Sequence, residues 1–119
     1  MSDSLSSQDP TIDVRWVQPG TALIVIGGEH DLQSAPELAQ VMDESLDRCS
    51  HLIVDLSTAE FIDSSTINVL VKAKKGADDR GCKFNLVMGT AHIVERALVV
   101  AQILPALNHV KTLEQALAA

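Results

Sequence analysis

From Thr11 the chain alternates: Ile12, Val14 and Trp16 are apolar, while Asp13 and Arg15 are charged. That period of two is the signature of a half-buried strand. Pro19-Gly20 marks a turn, and TALIVIGG follows as an unbroken apolar strand ending at Gly27-Gly28, so the two strands read as a hairpin. Ser34, with Pro36 and Glu37 just after it, looks like a helix start, and Leu38, Val41, Met42, Leu46 and Cys49 recur at helical spacing. HLIVDL, residues 51–56, predicts a strand, and a short link leads to Ser64-Ser65 and a helix running to about Arg80-Gly81. KFNLVM, residues 83–88, predicts another strand. The spacing then predicts a helix over 91–101, stopping before Pro105, and a capping box of Thr112 with Gln115 opens a last helix to Leu117. This order predicts a single α/β domain over 11–119: an N-terminal β-hairpin, then alternating strands and helices, with the helices packed on a mixed sheet. The polar, Ser-rich opening, residues 1–10, reads as a disordered tail.

The segment FIDSSTINVLVKAKK, residues 61–75, crowds Asp63, Ser64 and Ser65 into the step from strand to helix. One helix cap needs one side chain, so three polar groups leave a surplus. At roughly 100° per residue, Thr66, Ile67, Leu70, Ala73 and Ala77 share the sheet-facing side, with Val69 and Val71 on its shoulders. Ser65, Asn68, Lys72 and Asp79 fall on the opposite side, and Ser64 sits at the edge. With Asp63 or Ser64 as the cap, Ser65 is expected to point into solvent from the first turn. The unpaired N–H groups and the helix dipole favour a negative group there by about 0.3–1 kcal/mol.

Composition narrows the function classes. The 119 residues, 46% of them hydrophobic, fill one core without a metal or disulfide. Sixteen acidic against nine basic residues give a formal charge of −7, which argues against nucleic acid or an anionic membrane as main partner and for a basic or neutral protein surface. Cys49 and Cys82 are far apart and form no CxxC pair, so two reduced, mostly buried thiols are expected. No secretory signal opens the sequence and no apolar run is long enough to span a membrane, so a cytoplasmic protein is expected. His30, His51, His92 and His109 are scattered without the i, i+4 spacing of a metal pair, so packing or surface roles are expected and no metal or cofactor. Neither G-x-S-x-G nor a phosphate-binding G-x-x-x-x-G-K-[ST] occurs, so no enzyme is expected.

The stretch IVDLSTAEFIDSSTINVLVKAKKGADDRGCKFNLV resembles the central segment of a STAS domain, the family of bacterial anti-sigma-factor antagonists. GGEHDL, residues 27–32, is similar to the family's G-E-L-D strand end, and the likeness runs from about Ile12 to Leu117. It implies partner switching in transcription: the protein binds an anti-sigma factor that is also a serine kinase and is released when phosphorylated on the second Ser of D-S-S, here Ser65. A phosphatase would restore the unphosphorylated form. Asp31, Asp63, Ser64, Thr66 and Asn68 are then expected to line the partner surface, and weak nucleotide contact without turnover is allowed. Where the family commonly has Gly-Leu-Gly after the two serines, this chain has Thr66-Ile67-Asn68. Thr66 should lean toward the sheet, while Asn68 adds bulk where a kinase would dock.

Plainer readings stand beside these. Asp63 and Ser64 can be caps, Ser65 a solvated serine, Glu29 and Asp31 loop residues, and Lys72, Lys74 and Lys75 a solvated helix side. The alternative function is a non-phosphorylated STAS module, either a scaffold in a stress-sensing complex or an accessory subunit of a transporter.

Overall fold

The computed structural model describes residues 9–89, 94, 96–98, 102 and 104–119. Most of the expected tail lies outside these, and its described end, Asp9 and Pro10, is exposed and precedes the first strand. Most of the helix expected over 91–101 also lies outside them, though Val94 and residues 96–98 are helical. In chain order the elements are β1 (Thr11–Gln18), β2 (Thr21–His30), α1 (Ala35–Leu46), β3 (His51–Ile62), α2 (Ser64–Asp79), β4 (Lys83–Val87), β5 (His109–Val110) and α3 (Leu113–Leu117), with a 3-10 turn at Leu104–Leu107 before β5.

The sheet runs β1-β2-β3-β4-β5. β1 pairs antiparallel with β2, and the β2–β3, β3–β4 and β4–β5 pairs are parallel. The unbroken apolar runs follow from burial on both faces. Ala22, Ile24 and Ile26 of β2, Leu52 and Val54 of β3 and Phe84 and Leu86 of β4 face the main core with Leu38, Met42 and Leu46 of α1 and Leu70, Ala73 and Ala77 of α2. The alternate residues Leu23, Ile53 and Val87 turn to a smaller cluster closed by Ala116, Leu113 and Leu117 of α3. The Thr112–Gln115 capping box that starts α3 is formed in both directions.

Five details differ from the sequence expectation, which has no strand at His109–Val110 and ends the second strand at Gly27-Gly28 instead of His30. β1 is exposed along nearly its whole length, not half-buried: Ile12 packs on the main core, but Val14 and Trp16 keep 40% and 45% of their surface. It is the edge strand, and among the described residues its only pairing neighbour is β2. β3 does not stop at Leu56 but continues to Ile62. Its register against β2 shifts twice, between Val25 and Gly27 and between Gly28 and Glu29. Each shift inserts an extra residue in β3, so Leu56, Ala59 and Ile62 are buried at intervals of three and the segment imitates a link. Gly28 sits at the second shift with φ 74°, a conformation open to glycine. Lastly, α1 ends at Leu46, so Cys49 follows the helix instead of completing its stripe.

Candidate functional site

The register pair His30↔Ile62 ends the β2–β3 ladder. The backbone N–H of Asp63 donates to the His30 carbonyl at 3.2 Å, so Asp31 and Asp63 leave the sheet side by side. His30 is fully buried and fixes this corner. Its Nε2 lies 2.9 Å from the Gly27 carbonyl and 3.1 Å from that of Thr11. Both are acceptors, so Nε2 carries the proton, and Nδ1 accepts from the Ser34 hydroxyl at 3.0 Å. Ser34 stands at the start of α1 as expected, but its hydroxyl serves His30 and makes no side-chain cap. Asp31 is exposed, and its Oδ1 accepts from the Gln33 N–H at 2.9 Å, a local turn that holds the β2–α1 loop.

Asp63 is the cap of α2. Its Oδ1 accepts from the backbone N–H groups of Ser65 at 3.0 Å and Thr66 at 3.1 Å, from the Ser65 hydroxyl at 2.6 Å and from the Thr66 hydroxyl at 3.4 Å. Burial on its own would raise the Asp63 carboxyl. The bonds from the Ser65 hydroxyl, the two backbone N–H groups and the Thr66 hydroxyl together outweigh it and hold the group below the usual carboxylate range.

This arrangement changes the expected roles of the two serines. Ser65 is half-buried, with its hydroxyl committed to Asp63, and is not the free, solvent-facing group that the helical wheel implies. Ser64 is the exposed one. A wheel places side chains by angle alone and takes no account of an acceptor two residues back, at the cap. Thr66 is fully buried. Its lean toward the sheet is as expected, but it leaves no side-chain surface for a partner, so its expected place on the partner surface is corrected to a support beneath Asp63. Asn68 is exposed and lines a small cleft of about 130 Å³ between α1 and α2, with Met42, Asp43 and Lys72 among its walls.

Two residues the sequence reading passed over belong to this corner. Leu32, in the loop after β2, keeps 73% of its surface, and Phe61, one residue before the end of β3, keeps 43%. They flank Asp31 and Asp63 in the chain, and a large apolar residue inside the polar stretch EHDLQS was the available signal. Beside them, Asp9, Glu29, Asp31 and Glu37 line an open cleft of about 380 Å³. The corner therefore offers exposed apolar side chains next to a strongly acidic surface, which suits a protein partner with apolar and basic groups.

Elsewhere Lys72 and Lys75 are exposed, as a solvated helix side requires, while Lys74 is half-buried and pairs with Asp78 at 2.7 Å along α2. His51 Nε2 meets Asn85 Oδ1 at 2.7 Å in a buried contact. Among the described residues, no group of three or more His, Cys, Asp or Glu could hold a metal ion, and no helix is long and apolar enough to cross a membrane. Cys49 and Cys82 are free thiols whose sulfurs lie 3.6 Å apart, contiguity that a separation of 33 positions in the sequence concealed. Burial first, and then the neighbouring Cys82 thiol, push Cys49 from 9.0 up to about 12, so it is a protonated thiol at neutral pH.

The fold has solved counterparts. An anti-sigma factor antagonist from Mycobacterium paratuberculosis superposes with a TM-score of 0.84 over 95% of each chain at 23% identity. The Bacillus cell fate determinant SpoIIAA in its phosphorylated form gives 0.71 over 91% of this chain and 97% of its own at 14% identity. A sulfate transporter family protein from Wolinella succinogenes gives 0.70 over 87% of each at 20% identity. No curated protein matches by sequence. The family model of the STAS domain matches residues 15–116, from within β1 to within α3. That span contains the whole β2–β3–α2 corner, and the chain belongs to the STAS domain family.

Proposed function

We propose that this protein is an anti-sigma-factor antagonist that binds an anti-sigma factor kinase through the corner of Asp31, Leu32, Phe61, Asp63, Ser64 and Asn68, and is switched off by phosphorylation of Ser65. The observation that carries this reading is the 2.6 Å contact from the Ser65 hydroxyl to the Asp63 carboxylate, in the first turn of a helix beside exposed apolar side chains. The carboxylate orients the hydroxyl and is placed to take its proton as a phosphoryl group arrives. For a kinase to reach the oxygen, the serine gives up one hydrogen bond to a charged group, at a cost of about 1.5–3 kcal/mol.

Phosphorylation then reverses the contact. The esterified oxygen no longer donates, and about −1.5 to −2 charges stand beside a carboxylate that keeps its three other donors, the Ser65 and Thr66 N–H groups and the Thr66 hydroxyl. The phosphoryl group has to swing outward, into the surface between Ser64, Asn68 and Phe61. A hundredfold loss of affinity corresponds to about 2.7 kcal/mol, within the range of one desolvated, unpaired charge at an interface. The protein carries out no reaction of its own in this reading. A phosphatase resets it, and nucleotide contact is limited to what the bound kinase brings. Regulation of transcription by partner switching in the cytoplasm follows from these steps.

One observation favours a second reading. Ser65 is half-buried and already bonded, which suits a STAS module that is never phosphorylated, a scaffold or a transporter accessory subunit. Incubating the purified protein with its cognate anti-sigma kinase and ATP separates the two. The first reading expects one added phosphoryl group, mapped to Ser65 by fragmentation and absent from Ser65→Ala. Stable binding without any label supports the scaffold, and a label on Ser64 moves the site to the exposed hydroxyl.

A further inference from the structure

β1 is an eight-residue edge strand with no described strand on its outer side. Such an edge is a template for another strand, and proteins usually blunt it with charges of one sign, prolines or bulges. Here the prolines, Pro10 and Pro19, stand outside the strand, and the single irregularity, between Trp16 and Gln18, lies at its far end. Val14, Trp16 and Val17 are three of the six large apolar side chains left exposed among the described residues. The two charges on the strand, Asp13 and Arg15, are opposite in sign and two positions apart, and they bond each other at 2.7 Å.

We propose that β1 pairs antiparallel with β1 of a second copy of this chain, about a two-fold axis at Val14. In that register Asp13 of each copy stands opposite Arg15 of the other, Ile12 opposite Trp16, Val14 opposite Val14 and Thr11 opposite Val17. Every residue from Thr11 to Val17 meets a compatible partner, which a two-fold interface requires because each copy presents the same patch. Shifting the register by two residues in either direction breaks both charge pairs. The pairing extends the two five-stranded sheets into one and brings Val14 and Trp16 of both copies together on the helix-bearing face. There Trp16 already carries the Arg48 guanidinium 5.6 Å over its ring. The charge pairs select the register more than they strengthen the contact, and cross-strand apolar pairs supply the attraction.

The test is sedimentation velocity of the full chain at millimolar concentration, with Arg15→Asp and Asp13→Arg. Wild type is expected to show a species of twice the 12.8 kDa chain mass. Either variant alone sets like charges opposite each other at both pairs and is expected to lose association by about tenfold. Mixed in equal amounts the variants are expected to form a heterodimer, since the two acids of one face the two arginines of the other. The mixture separates this surface from the internal Asp13–Arg15 bond, which mixing cannot restore. An isotope-filtered Overhauser contact between Val14 methyls of labelled and unlabelled copies is the second readout. A wild type that is monomeric throughout, variants that associate as wild type does, or a mixture that stays monomeric would each overturn the proposal.

Discussion

The hydroxyl of Ser65 donates to the carboxylate of Asp63 across 2.6 Å, and the same oxygen of Asp63 also receives two backbone N–H groups of α2. The residue read as the switch and the residue that starts the helix are therefore one hydrogen-bonded unit, and a change in either is felt by both.

Asp63→Ala removes the acceptor for the first turn of α2. Loss of a cap of this kind costs about 0.5–2 kcal/mol, and the value should fall in the upper half of that range because two hydroxyls lose their acceptor as well. Urea denaturation followed by circular dichroism measures it. Asp63→Asn, which keeps an oxygen in place, should recover at least half of the loss.

Ser65→Asp separates two effects of opposite sign. The helix dipole favours an acid in the first turn, but the bond to Asp63 is lost and a second carboxylate stands beside the first. The repulsion is expected to win, lowering stability by about 1 kcal/mol and weakening the partner complex, while Ser65→Ala keeps the partner affinity. Calorimetric titration against the anti-sigma factor, with denaturation of both variants, checks the pair.

The depressed titration of Asp63 has a defined pH window. A carboxylate whose folded value lies below its unfolded value of about 3.9 contributes stability above that value, and the contribution is lost as pH falls through the folded value. The cap should thus hold at neutral pH and fail only in strong acid. In Ser65→Ala the strongest lowering contact is gone, so the Asp63 carboxyl carbon, followed by NMR, should titrate at higher pH than in the parent. An unchanged midpoint would mean that the hydroxyl does not bond the carboxylate in solution.

Cys49 makes the opposite prediction at alkaline pH. With its thiol raised from 9.0 to about 12, the folded state binds a proton that the unfolded state releases, so stability is flat below about 8.5 and declines as pH rises toward the folded value. At pH 8 the thiolate is about a thousandfold scarcer than for a thiol titrating at 9.0, and iodoacetamide should modify Cys49 correspondingly slowly until denaturant is added.

What could be read from the sequence was what local chemistry decides. β2 and β4 are apolar on both sides because both faces are covered, and the Thr112–Gln115 box specifies α3 within four residues. The remainder depended on neighbours distant in sequence. Alternation along β1 looks the same whether a strand lies at an edge or inside a sheet, and only the pairing order exposes Val14 and Trp16. The end of β3 was hidden because two bulges convert its period from two to three. At the site, the D-S-S step and its cap were legible, but the burial of Ser65 was not, because it depends on a single hydrogen bond. Leu32 and Phe61 come together with Asp63 only through the His30↔Ile62 register.

The strand order in the sheet is the order of synthesis. No strand has to be inserted between two that are already paired, and each new one finds its neighbour complete at the open edge. As domains generally begin folding from the N-terminal side during translation, the hairpin, α1 and β3 can assemble before β4 leaves the ribosome. The candidate site is complete at Asn68, ahead of β4 in the chain, and Leu104 and Leu107 join the main core only afterwards.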